Sequence, residues 1–478
     1  MKLSKFKFFT LTAISVFIIS LCYSNVKQDD AYIFFTYAKN ISEGNGYVFN
    51  SGEKINATTS PLYTLLVTSL NFVTGKTNIE KIPIIGYSIG VLSLLVLVFY
   101  CFSILEISRH KIASYIFPLL LLANPLIRNS SGMETYFALM LSILVVYYYL
   151  SNKYELATLF AGLAILARYD SFLLVLIILL HYIVSNKKFP PYRTFLIFFS
   201  IIVPWFLFSY FYFGNFLPST FKIKIYQQTL GYWGKGLLFI KGFVTAVPGG
   251  IPVFVLALFI FSAALVYIFF NNREIIKENY FRIILFWTIL YFIIYGFILN
   301  PPPYPWYYTI FCIPFGLVLS IAIESILKNV SARYHFILIL FLFLCGLIIP
   351  IRTYLEPVTP KYSAYYKTAK YLNSIAPENS SVAIDEIGIL GFYYEKGRII
   401  DLLGLVNPQA INFLKDKNYL GMIDYYKPDY LVIDYPRRPL YENFVGDRDF
   451  ANKYSRISII SGSGKSVEIF QKKDLKLK

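Results

Sequence analysis

The chain has 478 residues, 57% of them hydrophobic and only 15% charged, with a mean hydropathy of +0.57, whereas a soluble globular domain carries roughly 25% charge. This composition excludes an ordinary soluble protein and indicates a polytopic α-helical membrane protein. The formal net charge of +17 would suit nucleic acid if its cations were gathered on one face or arm; they are scattered between apolar runs and through the tail, so no nucleic-acid partner is expected and the excess reads as loop charge drawn to membrane lipids.

The N-terminus, MKLSKFKFFTLTAISVFIISLCYS, has a basic start and a long apolar run. It lacks a small-x-small cleavage site, and Leu21 before Cys22 does not fit a lipoprotein box, so it reads as an uncleaved first span. About 20 apolar residues cross a bilayer as helix. Runs at about 6–24, 82–105, 112–128, 133–150, 155–168, 170–185, 193–213, 250–270, 280–299, 307–327 and 334–350 therefore predict about 11 transmembrane helices. The run 61–74 is short and closed by Gly75; it is expected to be re-entrant or interfacial.

If that run does not cross, Lys2, Lys5 and the basic stretches ISRHK, SNKY, SNKKFPPYR, NNREIIK and LKNVSAR all fall on one side, as the positive-inside rule requires of cytoplasmic loops. The expected topology is then an integral protein of a bacterial inner or plasma membrane with a cytoplasmic N-terminus. Segments 25–81, 128–135, 167–170, 214–249, 300–306 and everything after 350 lie outside. The span interiors hold almost no ionisable groups, which argues against an ion or proton pathway.

Cys22, Cys101, Cys312 and Cys345 sit inside apolar segments, where a thiol acts as a small hydrophobe. His110, His181 and His335 form no ligand cluster in the sequence. No metal site is assigned, and the need for a divalent cation stays open. From Arg352 the character changes: SAYYKTAKYLNSIAP has helical spacing, SVAID, GRIID and DYLVID read as short buried strands, and SGSGKSVEIFQK as a late hairpin or edge strand. The expected organisation is a transmembrane module at 1–350 and an extracytoplasmic soluble α/β domain at 351–478. Gly-Ser-Gly-Lys at 462–465 lacks Walker spacing and reads as a turn.

The chemistry-bearing stretch is KQDDAYIFFTYAKNISEGNGYVFN, at 27–50. After Asp29 and Asp30, residues Ile33, Phe34, Tyr37, Ala38 and Ile41 recur at helical spacing and Gly44 stands at a C-cap position. This predicts an amphipathic helix lying on the outer membrane surface. One aspartate can cap that helix. Neighbouring side chains point about 100° apart, so the other can face a cavity and serve as a general base. Spacing alone leaves cap and base open.

The run DDAYIFFTYAKNISEGNGYVFNSGEKINATTSPLYTLL, with GMETYFALML, LARYDSFLLV, YFGNFLPSTFKIK and DEIGILGFYYEKGRIIDLLGLVNP, resembles the GT-C membrane glycosyltransferases, and among them the polyprenyl-phosphate-sugar-dependent arabinofuranosyltransferases of cell-wall arabinan synthesis. The resemblance implies inverting transfer of a sugar from a polyprenyl-phosphate donor to a hydroxyl of a glycan, glycolipid or protein acceptor at the outer face. It makes Asp29 or Asp30 the general base. Arg168, Lys222 and Lys224 are candidates to meet the leaving phosphate, Arg by its fork of donors and Lys by its point charge. Their alternative is interfacial snorkelling. Glu134, Asp170 and Asp385 are candidates for sugar or substrate contacts. Tyr304 and Trp306 could stack on a sugar or form the interfacial aromatic belt. Tyr169 and Ser219 depart from the pattern, where proline and asparagine are expected. Competing classes are a glycolipid transporter or flippase, which should show repeats and broken helices, and an O-antigen-type ligase or polymerase.

Overall fold

In hydrocarbon every backbone amide must be paired inside the chain, and helix is the way a single apolar segment does so. The computed structural model is accordingly mostly helical. It describes residues 5–75, 79–230, 234–328, 330–437 and 444–475; Lys2 of the basic N-terminal stretch lies outside them. In chain order the helices are α1 (Lys5–Cys22), α2 (Asp29–Glu43), α3 (Pro61–Val73), α4 (Lys81–Ile107), α5 (Ala113–Ala123), α6 (Thr135–Leu150) and α7 (Tyr154–Ala167). Then follow α8 (Phe172–Asn186), α9 (Tyr192–Phe213), α10 (Ser219–Gln227), α11 (Leu238–Ala246), α12 (Gly250–Asn271), α13 (Glu274–Lys277) and α14 (Asn279–Ile293). The last labelled helices are α15 (Cys312–Leu327), α16 (Ala332–Leu355), α17 (Pro360–Ile375) and α18 (Gly388–Tyr393).

Among the described residues, 8 helical stretches are long and apolar enough to cross a membrane. Three expected spans, at α5, α6 and α7, are shorter apolar helices, as is α3. The span expected at 112–128 stops early for a local reason. Pro125 disfavours helix at the residue before it, so Asn124 turns extended and its side chain accepts the Leu126 amide at 3.1 Å, starting a 3-10 turn over Pro125–Ser130.

The chain divides into two compact units, the first formed by Met1–Val26, Tyr87–Trp205 and Gly236–Glu356, the second by Lys27–Gly86, Phe206–Lys235 and Pro357–Lys478. In the first, α6 packs on α7, α5 on α15 and α16, α12 on α15, and α8 on α14. Small residues allow the helices to approach: a Cβ on Gly316 would come within 2.9 Å of the Phe117 ring.

The second unit contains a five-stranded sheet, order β2-β1-β3-β5-β4, from β1 (Ser380–Ile384), β2 (Gly397–Asp401), β3 (Tyr430–Tyr435), β4 (Tyr454–Ser461) and β5 (Ser466–Lys472). β1 is parallel to β2 and β3, while β5 is antiparallel to β3 and β4. The three buried runs read from sequence are β1 to β3, and 462–465 is the β4–β5 turn, with Gly464 at φ +82°. SVEIFQK is not an edge: β5 lies inside, paired with β3 and β4, and the edges are β4, mostly exposed or half-buried, and β2.

The expectation for α2 needs correcting. It is not a surface helix with one wet face; Ala31, Phe35, Tyr37 and Ala38 are all fully buried, and α2 packs on both α3 and α18. The loop after it folds back because Asn40 donates to the carbonyls of Val48 and Phe49 at 2.9 and 2.7 Å. Asn50 then acts as a surrogate strand for β2: its amide donates to the Ile399 carbonyl at 2.8 Å and its oxygen accepts the Ile399 N–H at 3.0 Å. That pairing covers an otherwise open sheet edge.

Candidate active site

In the second unit, both aspartates occupy the first turn of α2, whose N-cap is Gln28, without a side-chain capping bond. Neither therefore caps its own helix. Asp29 points at α18, where Oδ2 accepts the Gly388 amide at 2.9 Å and Oδ1 the Ile389 amide at 2.8 Å. The approach is so close that a Cβ on Gly388 would lie 1.9 Å from the Asp29 carbonyl oxygen, so glycine is required for contact rather than for an unusual φ. Asp29 is 9% exposed, and burial, followed by the negative charge of Glu386, pushes its carboxyl up to about 7 against the pull of the Ile389 amide and Lys361.

Asp30, one residue on, faces elsewhere. Its Oδ2 meets Lys224 Nζ at 3.3 Å, with 23% of the aspartate side chain and 14% of the lysine side chain exposed. Lys224 is placed by the way α10 is tied down: the Ser219 N–H donates to the Asn56 carbonyl at 2.8 Å, the Thr220 hydroxyl to the Ala57 carbonyl at 2.6 Å, and the Gln227 amide to the Leu403 carbonyl at 3.3 Å. The Ser219 hydroxyl lies 2.7 Å from the Leu405 carbonyl, so this departure from the family pattern has a structural employment. Lys222 is two positions earlier on α10, about 200° around the helix, and is exposed. The structure brings Lys224, and not Lys222, to the acid pair.

Asp385 is buried at the end of β1. Next to it Glu386 pairs with Lys361 of α17 at 2.5 Å. Asp401, at the end of β2, accepts the amides of Leu403 and Val406 at 2.8 and 3.0 Å, which shapes the 402–406 loop that α10 leans on; burial pushes its carboxyl up to about 6. Gly388 and Lys361 escaped the sequence reading. Gly388 had a signal, a glycine two residues after the acidic end of a strand in DEIG; Lys361, one of three lysines in a polar helix with Lys367 and Lys370, had none.

In the first unit a different cluster forms. Arg168 grips Asp170 with two bonds, Nε to Oδ1 at 3.1 Å and Nη2 to Oδ2 at 2.6 Å, and reaches Glu134 Oε1 through Nη1 at 2.8 Å. The Tyr295 hydroxyl donates to Asp170 at 2.9 Å, and Tyr307 presents its ring 5.8 Å from the guanidinium. Thus Arg168 neither snorkels nor offers an open fork; two carboxylates take it. Trp306 is buried and stacks on Tyr304, ring centres 4.9 Å apart, at 9°, an arrangement that covers one face of each ring. A cavity of about 20 Å³ beside Arg168, Trp287, Trp306 and Tyr307 has room for one water. Tyr169, the other departure, accepts the Trp205 indole N–H at 3.0 Å. Among the described residues no three His, Cys, Asp or Glu are arranged to hold a metal ion.

The fold is similar to that of several solved structures. The chain resembles ArnT from Cupriavidus metallidurans bound to undecaprenyl phosphate, with a TM-score of 0.63 at 12% identity over 98% of both chains. The Archaeoglobus fulgidus oligosaccharyltransferase in its apo form gives 0.58 at 11% identity, over 90% of this chain and 70% of that one. AglB from the same organism, in complex with an inhibitory peptide and a dolichol-phosphate, gives 0.57 at 12%, over 100% and 76%. The chain has the GT-C fold. A GT-C fold accounts for a polytopic helical membrane protein that carries a soluble C-terminal region. Residues 354–470 also match a family described as Domain of unknown function (DUF8728). No curated protein sequence matches the chain.

Proposed function

We propose that this protein is an inverting, lipid-phosphate-dependent glycosyltransferase in which Asp30 is the general base. The observation that carries the reading is the division of labour in the acid pair. Asp29 is buried and has both oxygens bonded to α18 amides, which suits an anchor. Asp30 is the more exposed and keeps Oδ1 outside its ion pair with Lys224, which suits a base that must reach a substrate hydroxyl.

In this mechanism Asp30 takes the proton of the acceptor hydroxyl as its oxygen attacks the anomeric carbon. The bond to the lipid phosphate breaks on the opposite side, and the phosphate leaves with the electron pair. Lys224 pairs with Asp30 Oδ2 before the reaction and supplies positive charge as the anionic phosphate forms. Asp29 fixes the first turn of α2 against Gly388 and Ile389, so that Asp30 is held by backbone rather than by a mobile loop. The donor is a sugar on a polyprenyl phosphate, the lipid class found in ArnT and AglB; the acceptor is a glycan, glycolipid or peptide hydroxyl or amide group. Of these, the first-loop motif favours a hydroxyl and an arabinofuranosyl-type donor. The positive-inside distribution of Lys and Arg supports an extracytoplasmic site for this chemistry, with the N-terminus cytoplasmic.

The test supplies the full-length protein with a panel of polyprenyl-phosphate sugars. Asp30→Asn should lose transfer while retaining donor binding. Unchanged turnover in that variant would remove Asp30 as base, and a failure of the native protein to transfer from any lipid-linked sugar, while moving a glycolipid across vesicles, would replace the enzyme with a flippase.

A further inference from the structure

Away from both clusters, the first unit has an apolar groove of about 240 Å³ among α6, α7, α8 and α9, with Tyr149, Tyr154, Ala157, Tyr182, Thr194 and Phe198 in its walls. Two of its tyrosines have their hydroxyls engaged: the Tyr149 hydroxyl lies 2.7 Å from His181 Nδ1, and that of Tyr154 donates to Asn152 at 2.7 Å. With those polar tips satisfied elsewhere, their rings present hydrocarbon to the groove. Phe199, also in the wall, is 51% exposed, so the groove opens outward rather than into a core.

The α8–α9 connection, SNKKFPPYR, runs along the end of this groove and contributes Pro190 to it. From Leu180 to Phe199 the chain has three permanent cations, Lys187, Lys188 and Arg193, and no carboxylate. All three are exposed. Phe189 and Tyr192 beside them are 73% and 70% exposed, as suits rings seated at a headgroup boundary. Across the groove Lys153 and Glu155 cancel. An apolar slot among membrane helices with clustered cations at its mouth matches an acyl chain joined to an anionic headgroup.

We propose that this groove is a binding site for an anionic membrane phospholipid, one acyl chain lying among α6 to α9 and the phosphate resting on Lys187, Lys188 and Arg193. The site is independent of the transfer chemistry. The test uses the full-length protein in bilayer nanodiscs containing phosphatidylglycerol and phosphatidylcholine of identical acyl chains, with retained lipid read by native mass spectrometry. The native protein should keep phosphatidylglycerol in preference. The K187Q/K188Q/R193Q variant should reduce that preference at least about tenfold, and Thr158→Trp, which fills the groove, should remove retention of both lipids where Thr158→Ser does not. Unfolding temperatures of all variants report folding separately. An undiminished preference in the charge variant would overturn the proposal, since that variant alters only exposed side chains. So would displacement of the phospholipid by polyprenyl phosphate at the same cations, which would give the groove to the donor's tail.

Discussion

The acid pair of the second unit and the Arg168 cluster of the first each set two carboxylates against one basic side chain, but they differ in what else those carboxylates bond and in how far they are exposed. Around Asp29 and Asp30, backbone amides and one lysine face two carboxylates, and one of those carboxylates stays reachable. Around Arg168 a single guanidinium is shared by Glu134 and Asp170, which are 1% and 13% exposed. The first arrangement leaves an acid able to do work; the second consumes its cation in holding two acids together. An arginine found at a span end is therefore not, by its identity, a phosphate ligand: its carboxylate neighbours decide.

The comparison breaks most sharply at Asp30. Replacing it with Asn should lower kcat by about 10² to 10⁴ with little change in thermal stability, a split that kinetic and unfolding measurements on one preparation would reveal. Arg168→Gln should do the reverse. It strands the buried Glu134 and the half-buried Asp170, and breaking a buried pair costs about 3–5 kcal/mol, so the unfolding temperature should fall well before donor binding does. If Arg168→Gln instead kept its stability and lost affinity for lipid phosphate, the two clusters would be more alike than their bonding and exposure indicate.

Gly388→Ala sharpens the contrast within the acid pair. The new Cβ must push α18 away from Asp29, costing the buried carboxylate its two amide bonds, about 1–3 kcal/mol for an unsatisfied buried group. Activity should decline through misplacement of Asp30, more in kcat than in donor affinity. A pH series tests Asp29 itself. Because its folded carboxyl titrates at about 7, above the ordinary value near 3.9, protonation favours the folded state: the contribution is complete below about pH 4 and is lost as pH rises through about 7. Asp29→Asn should flatten that part of the stability profile. Smallest of all, Lys222→Ala should alter stability by less than about 0.5 kcal/mol and leave turnover unchanged, whereas Lys224→Met should reduce turnover.

Much of this was legible from local pattern. The run after Asp30 and the glycine at 44 announced α2 and its end, and Gly44 does adopt φ +87° there. The buried strands SVAID, GRIID and DYLVID likewise needed only short-range reading. What local pattern misjudged was the surroundings of α2: a polar residue every few positions looks like a wet face, but Asn40 spends its amide on the loop at Val48 and Phe49. For the aromatic pair, the stacking of Trp306 on Tyr304 is likewise a contact that local pattern does not carry.

The sequence by itself determined which segments are apolar, the approximate course of the helices and buried strands, and that two acids share one helical turn, because such properties depend on side chains a few positions apart. Only the tertiary structure decided what each acid touches. Asp29 is joined to amides 359 and 360 residues away, and Asp30 to a lysine 194 residues away. Partners so distant are set by how helices and sheet pack, and a carboxylate's task follows from its partner, its burial and its neighbours' charge rather than from its place in the chain.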